Sequence, residues 1–257
     1  MPITTRRVRH EIRFRRTTVV SNTRLTPGMA RIVVESPDLK GFVSLGFDDH
    51  VKLFFPRPGQ DLPIPTSGER GLEWPGEKPE MRDFTPRAFD AEAGRLTLDF
   101  VLHDEGTAGP WASQAKPGDL LGVGGPRGSF LVEGEADWHL LIGDATALPA
   151  IARRIEELPS GTRIEAIIEV ANNDEIQPFA EHDDLTVLWL CRDRGQTLGG
   201  YLDGLKDLPE GEGFVFVAAE AGDVSKARAR MEALGHPGEN LKASNYWRRE
   251  TAEATAH

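Results

Sequence analysis

The sequence predicts two architectures in succession: a six-stranded antiparallel β-barrel, then an α/β unit built on a parallel sheet. Three observations carry this. The first half holds six short β-rich runs set off by Pro and Gly, with no sustained helical periodicity. After Glu133 the period changes, and apolar strands alternate with segments whose apolar residues recur at helical spacing. Finally, 257 residues suffice for two modest domains that each bury a core. The expected division is residues 1–134 and 135–257.

The strands expected in the first half are 8–20, 29–36, 51–55, 81–88, 95–102 and 119–123. Thr26-Pro27-Gly28 and Lys116-Pro117-Gly118-Asp119 supply turn chemistry between them. Between Pro56 and Pro79 runs a proline-punctuated segment containing Trp74. It is too long for a plain connector, and reads either as a functional loop or lid beside a site or as a disordered surface insertion. In the second half, 138–142 is an apolar strand and Gly143-Asp144-Ala145-Thr146 a turn. Leu148, Ile151, Ile155 and Leu158 then follow at helical spacing until Pro159-Ser160-Gly161 stops the helix. Strands at 164–170 and 185–190, a short helix at 198–205, a strand at 214–218 and a helix at 224–234 complete the pattern. Such alternation implies a parallel sheet with right-handed crossovers.

Composition narrows the function classes. Hydrophobic residues make up 39% and charged residues 28%, as in an ordinary globular protein. No run approaches the ~18 apolar residues that span a bilayer, and the basic stretch Met1 to His10 lacks the apolar core of a secretory signal. The single cysteine, Cys191, excludes an internal disulfide framework and points to a reducing, cytoplasmic setting. At the end of an apolar run, it reads as a buried inert thiol. A net charge of -11 argues against nucleic-acid binding, so any anionic ligand must be met by a local basic cluster. Histidines 10, 50, 103, 139, 182, 236 and 257 show no close pairing at metal-ligand spacing, so no protein-bound metal is expected.

The segment richest in chemistry is Arg82-Asp83-Phe84-Thr85-Pro86-Arg87. On one extended strand Arg82, Phe84 and Pro86 project to one side, and Thr85 and Arg87 to the other. A guanidinium grips a pyrophosphate in two-pronged fashion, an aromatic face stacks on an isoalloxazine, and a hydroxyl bonds a ring nitrogen. The set suits a flavin dinucleotide; the plain alternative is a barrel strand with its arginines in solvent. Gly106-Thr107-Ala108-Gly109-Pro110-Trp111-Ala112 offers small residues that let amides approach a phosphate, or an ordinary turn. Gly122-Val123-Gly124-Gly125-Pro126-Arg127-Gly128-Ser129 lacks a true dinucleotide fingerprint and reads as a ligand-lining or structural turn. The run from Leu140 through Gly143-Asp144-Ala145-Thr146-Ala147 to Ala150 is a strand, tight turn and helix start, where a nicotinamide nucleotide can lie at the carboxyl ends of parallel strands.

Taken together, the chain resembles the siderophore-interacting protein family of ferric-siderophore reductases, within the ferredoxin-reductase-like superfamily. The matching residues are His50-Val51-Lys52-Leu53, the 82–87 segment, Asp99-Phe100-Val101-Leu102-His103 and Gly109-Pro110-Trp111-Ala112. Gly125-Pro126-Arg127-Gly128-Ser129, the 143–150 turn, Glu220-Ala221 and Asn245-Tyr246-Trp247-Arg248-Arg249 continue the match in the family's order. The resemblance implies an N-terminal FAD barrel and a C-terminal NAD(P)H domain. Arg82 would hold the pyrophosphate, Phe84 stack on the flavin and Thr85 face its reactive nitrogen. Asp83, Arg87, Asp99, Val101, His103, Gly106, Thr107, Ala108 and Trp111 would complete the FAD site. Gly143, Asp144, Thr146, Ala147 and Glu220 would border the nicotinamide, with Thr85, Asp144 and Thr146 nearest the chemistry. Two departures stand out: Phe84 replaces the usual tyrosine, and Ala219 stands where the family tends to have glycine, which would crowd the nucleotide's approach.

The function this implies is transfer of electrons from NADPH or NADH, with a ferredoxin as alternative donor, through FAD to a ferric siderophore. Reduction loosens the chelate because hard oxygen ligands hold Fe(II) less well. Lys52, Arg127 and Arg248 are candidates for a basic siderophore pocket, or else solvated charges or members of ion pairs. Asn172-Asn173-Asp174-Glu175 would suit a free ribose hydroxyl, whereas Arg192 and Arg194 would suit a 2′-phosphate. Two alternatives remain open: a non-catalytic siderophore-binding protein, and a general flavin or ferredoxin-type reductase.

Overall fold

The computed structural model describes residues 2–57, 59–68 and 71–249. The chain divides into two compact units, Arg6–Leu131 and Met1–Thr5 with Val132–His257. Met1, the 250–257 end of the expected second domain, and Pro58, Glu69 and Arg70 of the proline-punctuated segment lie outside the described residues.

In chain order the first half contains β1 (Thr4–Arg9), β2 (Phe14–Thr26), β3 (Met29–Glu35), β4 (Val51–Phe55), β5 (Thr66–Gly68), β6 (Gly71–Glu73), β7 (Glu80–Phe84), β8 (Pro86–Asp90), β9 (Arg95–Val101), α1 (Ala108–Gln114), β10 (Leu120–Gly124) and β11 (Gly128–Glu133). Seven of these strands form one antiparallel sheet in the order β7-β4-β10-β2-β3-β9-β8. Only Thr85 separates β7 from β8, although they stand at opposite ends of that order, so the sheet closes on itself there into a barrel. The expected single strand 81–88 is therefore two strands with a corner between them. Pro86 explains the position of the break, because it restricts the residue before it and cannot donate to a ladder. The expected strand 8–20 is likewise two, and β1 pairs apart from the barrel with β11.

Alternation along the strands fills the barrel. Ile32, Val34, Leu53, Phe55, Leu96, Leu98, Phe100, Leu121 and Val123 form its core, and Ala108 and Ala112 of α1 join them. Arg15 points inward too, is 4% exposed, and spends its donors on the carbonyls of Asp38, Arg13 and Gly125. Burial, then the neighbouring Arg13, pulls its pKa below the ordinary arginine value. On the outer face, a Cβ at Gly122 would lie 2.7 Å from the Phe14 ring and one at Gly124 would lie 2.9 Å from the Phe54 ring. These glycines, read from sequence as part of a ligand-lining or structural turn, seat an aromatic cluster, which fits the structural alternative. Trp74 closes it, 5.5 Å from Phe14 and 5.0 Å from Phe54 between centroids. Leu62 is buried, Arg16 pairs with Asp61 at 2.7 Å, and Arg57 pairs with Glu77. Trp74 and Asp61 thus tie the described part of the 56–79 segment to the barrel, while the Arg57–Glu77 pair lies within the segment, so it is not a loose insertion.

The second half contains β12 (Trp138–Asp144), α2 (Leu148–Glu157), β13 (Arg163–Val170), β14 (Leu185–Cys191), α3 (Leu198–Gly204), β15 (Gly213–Glu220), α4 (Ala221–Ala233) and β16 (Leu241–Trp247). The five strands are parallel in the order β14-β13-β12-β15-β16. β16 has no counterpart in the sequence reading: as an edge strand, LKASNYW shows no apolar run to mark it. The chain order reverses direction between β12 and β15, which creates the crevice where ligands of open α/β sheets bind. Asp144 ends β12 and Glu220 ends β15 at that crevice. Cys191 is buried at the end of β14, where its thiol lies 3.1 Å from Asn173 Oδ1.

Candidate functional site

Each unit carries its own cluster of candidate residues. In the barrel they gather at the 84–86 corner. Arg82 lies opposite Leu53 and Phe84 opposite Val51, which puts both on the face of β7 that continues the barrel interior. Phe84 packs one side against Phe100, with centroids 4.4 Å apart. Arg82 is half-exposed and uses one terminal nitrogen on Glu80 (2.9 Å) and on the Met81 carbonyl (2.7 Å), so its Nε and other terminal nitrogen remain for a phosphate. Thr85 is buried at the corner itself.

Asp83 alternates to the opposite face, where its carboxylate meets Lys52 at 2.8 and 3.1 Å. Lys52, read from sequence as a pocket cation or a member of an ion pair, is in an ion pair, though an exposed and weak one. Asp99 is also committed within the protein. Arg31, opposite it in register, holds it by two bonds of 2.7 and 2.8 Å, with Arg87 3.9 Å away. Trp111 packs at 5.4 Å on Phe55 and 5.7 Å on Phe100 as part of the core wall.

Val101 ends β9, and the chain reaches α1 through His103, Gly106 (φ +66°) and Thr107. A Cβ at Gly109 would lie 2.3 Å from the His103 carbonyl oxygen and 2.9 Å from its nitrogen, so only glycine lets α1 start so close to the strand end. The Thr107 hydroxyl makes no hydrogen bond among the described residues, and Ala108 adds little bulk beside it. A guanidinium edge unsatisfied among the described residues, a half-exposed ring and small residues at a helix start, where the first amides lack helical partners, together fit a flavin dinucleotide.

In the sheet unit, Asp144 is 6% exposed and fully engaged. Its Oδ1 accepts from the Thr146 amide (2.9 Å) and hydroxyl (2.5 Å), while its Oδ2 accepts from the Trp247 indole N–H at 2.6 Å. Trp247 was part of a matching motif, but this bond joins residues 103 positions apart and has no sequence signal. Gly143 leaves room for the turn, since a Cβ would lie 2.4 Å from that of Ala147. Glu220 caps α4 through the Gly222 amide (2.6 Å) and accepts from the Arg249 amide (3.2 Å). These bonds, Arg249 first, hold its pKa below the ordinary glutamate value.

Two unforeseen acids lie nearby. Burial raises the pKa of Glu169 against the bond it accepts from Leu198 N, and that of Asp223 with help from Glu220 and Asp144. Arg192 reaches Glu169 at 3.4 Å, and Arg194 stands exposed on the same turn. Asn172 caps its own turn through Asp174 N. Ala219 is fully buried in the sheet core. Lys52 and Arg127 belong to the barrel unit and Arg248 to the sheet unit, where it is exposed after β16.

Residues 18–130 match the family model described as a siderophore-interacting FAD-binding domain, and residues 136–250 match that of the siderophore-interacting protein. The chain belongs to the siderophore-interacting protein family. Among its relatives, the NADPH-dependent ferric-chelate reductase of Escherichia coli is 37% identical, over 94% of this chain and 95% of the relative. The ferric vibriobactin reductase ViuB of Vibrio cholerae is 30% identical, over 91% and 89%. A siderophore utilization protein from T. fusca superposes with a TM-score of 0.88 at 36% identity, over 96% of this chain and 97% of the other. The fold extends to the ferredoxin reductase of carbazole 1,9a-dioxygenase, with a TM-score of 0.68 at 17% identity, over 93% of this chain and 68% of that one. This siderophore-interacting protein therefore has the ferredoxin-reductase-like fold expected from its sequence, with the barrel strand at 81–88 divided.

Proposed function

We propose that this protein is a flavoprotein reductase that carries electrons from NADPH through FAD to the iron of a ferric siderophore, releasing Fe(II). The observation that carries the reading is the 82–86 corner, where a guanidinium with free edges, a half-exposed ring and a buried hydroxyl meet at the closure of the barrel. Bound FAD supplies the step between a two-electron hydride donor and a one-electron ferric acceptor.

Arg82 holds the pyrophosphate by charge-assisted bonds, Phe84 backs the ring, and Thr85 directs its hydroxyl to the reacting edge. The amides of 106–108, with His103 beside them, receive the remaining phosphate. Asp83, Arg87, Asp99, Val101 and Trp111 shape this site from behind through the pairs and packing described above. In the sheet unit Gly143, Asp144, Thr146, Ala147 and Glu220 border the nicotinamide at the strand ends. Arg192 and Arg194 suit a 2′-phosphate, in keeping with the NADPH named for the Escherichia coli relative. A ferredoxin donor finds no such support.

Lys52 and Arg127 of the barrel unit, and Arg248 of the sheet unit, each offer positive charge to an anionic chelate against the chain's net charge of -11. No helix among the described residues is long and apolar enough to cross a membrane. We assign the protein to the cytoplasm, where NADPH is available and the buried thiol of Cys191 stays reduced.

The test is an anaerobic titration with NADPH and then NADH, followed by a ferric siderophore and an Fe(II) trap. Flavin bleaching that reverses as Fe(II) appears is the expected result. A yellow protein that neither nucleotide bleaches would favour a binding role, equal turnover of unrelated one-electron acceptors would favour a general reductase, and failure to take up FAD would refute the proposal.

A further inference from the structure

Beneath the 125–129 turn, four polar side chains from three distant stretches of the barrel unit meet. Asp49 is 2% exposed and Ser129 is 4% exposed. Asp49 Oδ2 accepts from Ser129 Oγ at 2.6 Å, from Ser44 Oγ at 3.1 Å and from Gly46 N at 3.1 Å. His10 Nε2 lies 2.8 Å from Ser129 Oγ. Because the one hydroxyl hydrogen of Ser129 is given to the carboxylate, His10 Nε2 must be the donor in that contact. The backbone of His10 also donates to the carbonyl of Arg127 at 2.9 Å, so one residue grips the turn twice. The other Asp49 oxygen is buried without a partner among the described residues, and a Cβ at Gly46 would lie 2.8 Å from it. The carboxylate is therefore oriented by its Oδ2 bonds alone.

The placement of this network matters. Asp49 stands three residues before Lys52, and Ser129 two residues after Arg127. Gly124, which leads into the turn, is the register partner of Lys52. We propose that His10, Ser129 and Asp49 form a positioning network that fixes the backbone carrying Arg127 against the strand carrying Lys52, and so sets how tightly the protein takes an anionic ferric chelate. The inference rests on the ferric-siderophore reading above. None of the three touches the 82–86 corner in any contact described above, so the network acts on chelate recognition and not on flavin reduction.

The experiment compares Ser129→Ala, His10→Leu and His10→Gln in the full-length, FAD-loaded protein. Ferric tris(2,3-dihydroxybenzoate) is the chelate, NADPH the donor, and an Fe(II) trap the readout. Ser129→Ala and His10→Leu should raise KM for the chelate about three- to tenfold, the size of one disturbed hydrogen bond. His10→Gln, whose amide still donates to Ser129 Oγ, should restore it, with kcat, KM for NADPH and FAD content unchanged in all three. An unchanged chelate KM in Ser129→Ala and His10→Leu would overturn the proposal. So would a parallel loss of FAD and kcat, which would make the network a support of the barrel as a whole. A wild-type protein that does not reduce the chelate refutes the functional reading itself, and is seen before any variant is made.

Discussion

His139 offers a stability test with a definite sign. Its ring lies in β12, 3% exposed, with Nδ1 buried and without a partner among the described residues. It sits 5.9 Å from the Phe214 ring, over which Arg154 is also held. Burial first, and Arg154 second, depress its pKa from the ordinary 6.5 to about 3. A depressed base binds its proton more readily in the unfolded chain, so this residue leaves stability intact above pH 6.5 and reduces it as the pH falls from 6.5 towards 3. At pH 5 the unfolded imidazole is almost fully protonated while the folded one is not, a gap of about 1.5 pH units. At ~1.36 kcal/mol per unit, the loss is about 2 kcal/mol. His139→Leu removes the titration and leaves Arg154 and every carboxylate in place, so their contributions cancel in the comparison. Urea unfolding at pH 8 and pH 5 should show the variant losing about 2 kcal/mol less than the wild type between the two. Equal losses in the two chains would mean that His139 is not held neutral by burial.

Three further outcomes concern the candidate sites. Arg82→Ala removes the charge-assisted phosphate contact, worth at most about 3 kcal/mol, and should lower flavin content after desalting; full occupancy would contradict the assignment. Gly109→Ala places a methyl 2.3 Å from the His103 carbonyl and should destabilise the barrel unit by about 1–3 kcal/mol while weakening FAD retention, measured by urea unfolding and flavin absorbance. Trp247→Phe keeps the apolar body but removes the 2.6 Å donor to Asp144. It should raise KM for NADPH by about tenfold, in keeping with ~1–3 kcal/mol for an unsatisfied buried acceptor, without changing FAD content; an unchanged KM would show that Asp144 needs no such support.

Local pattern was enough for much of this molecule. The strand Val51–Phe55 has the bounds its sequence predicts, because alternate burial of Val51, Leu53 and Phe55 is written into five consecutive residues. The helix carrying Leu148, Ile151 and Ile155 is legible for the same reason, as is the change from barrel to parallel sheet. That the first unit is an FAD-binding domain was legible too, in the motifs that carry the family resemblance. The sequence by itself therefore determined the two architectures, their order and the family.

Partnership at a distance was not legible. That Lys52 faces Asp83, that Arg31 occupies Asp99, and that Gly122 and Gly124 lie under Phe14 and Phe54 all depend on strand register. The bond from Trp247 to Asp144 depends likewise on an edge strand with no apolar signature. Periodicity reports which face of a segment is buried and says nothing of what that face meets. Only the closed barrel and the ordered sheet decide which charges are already paired and which remain for a ligand.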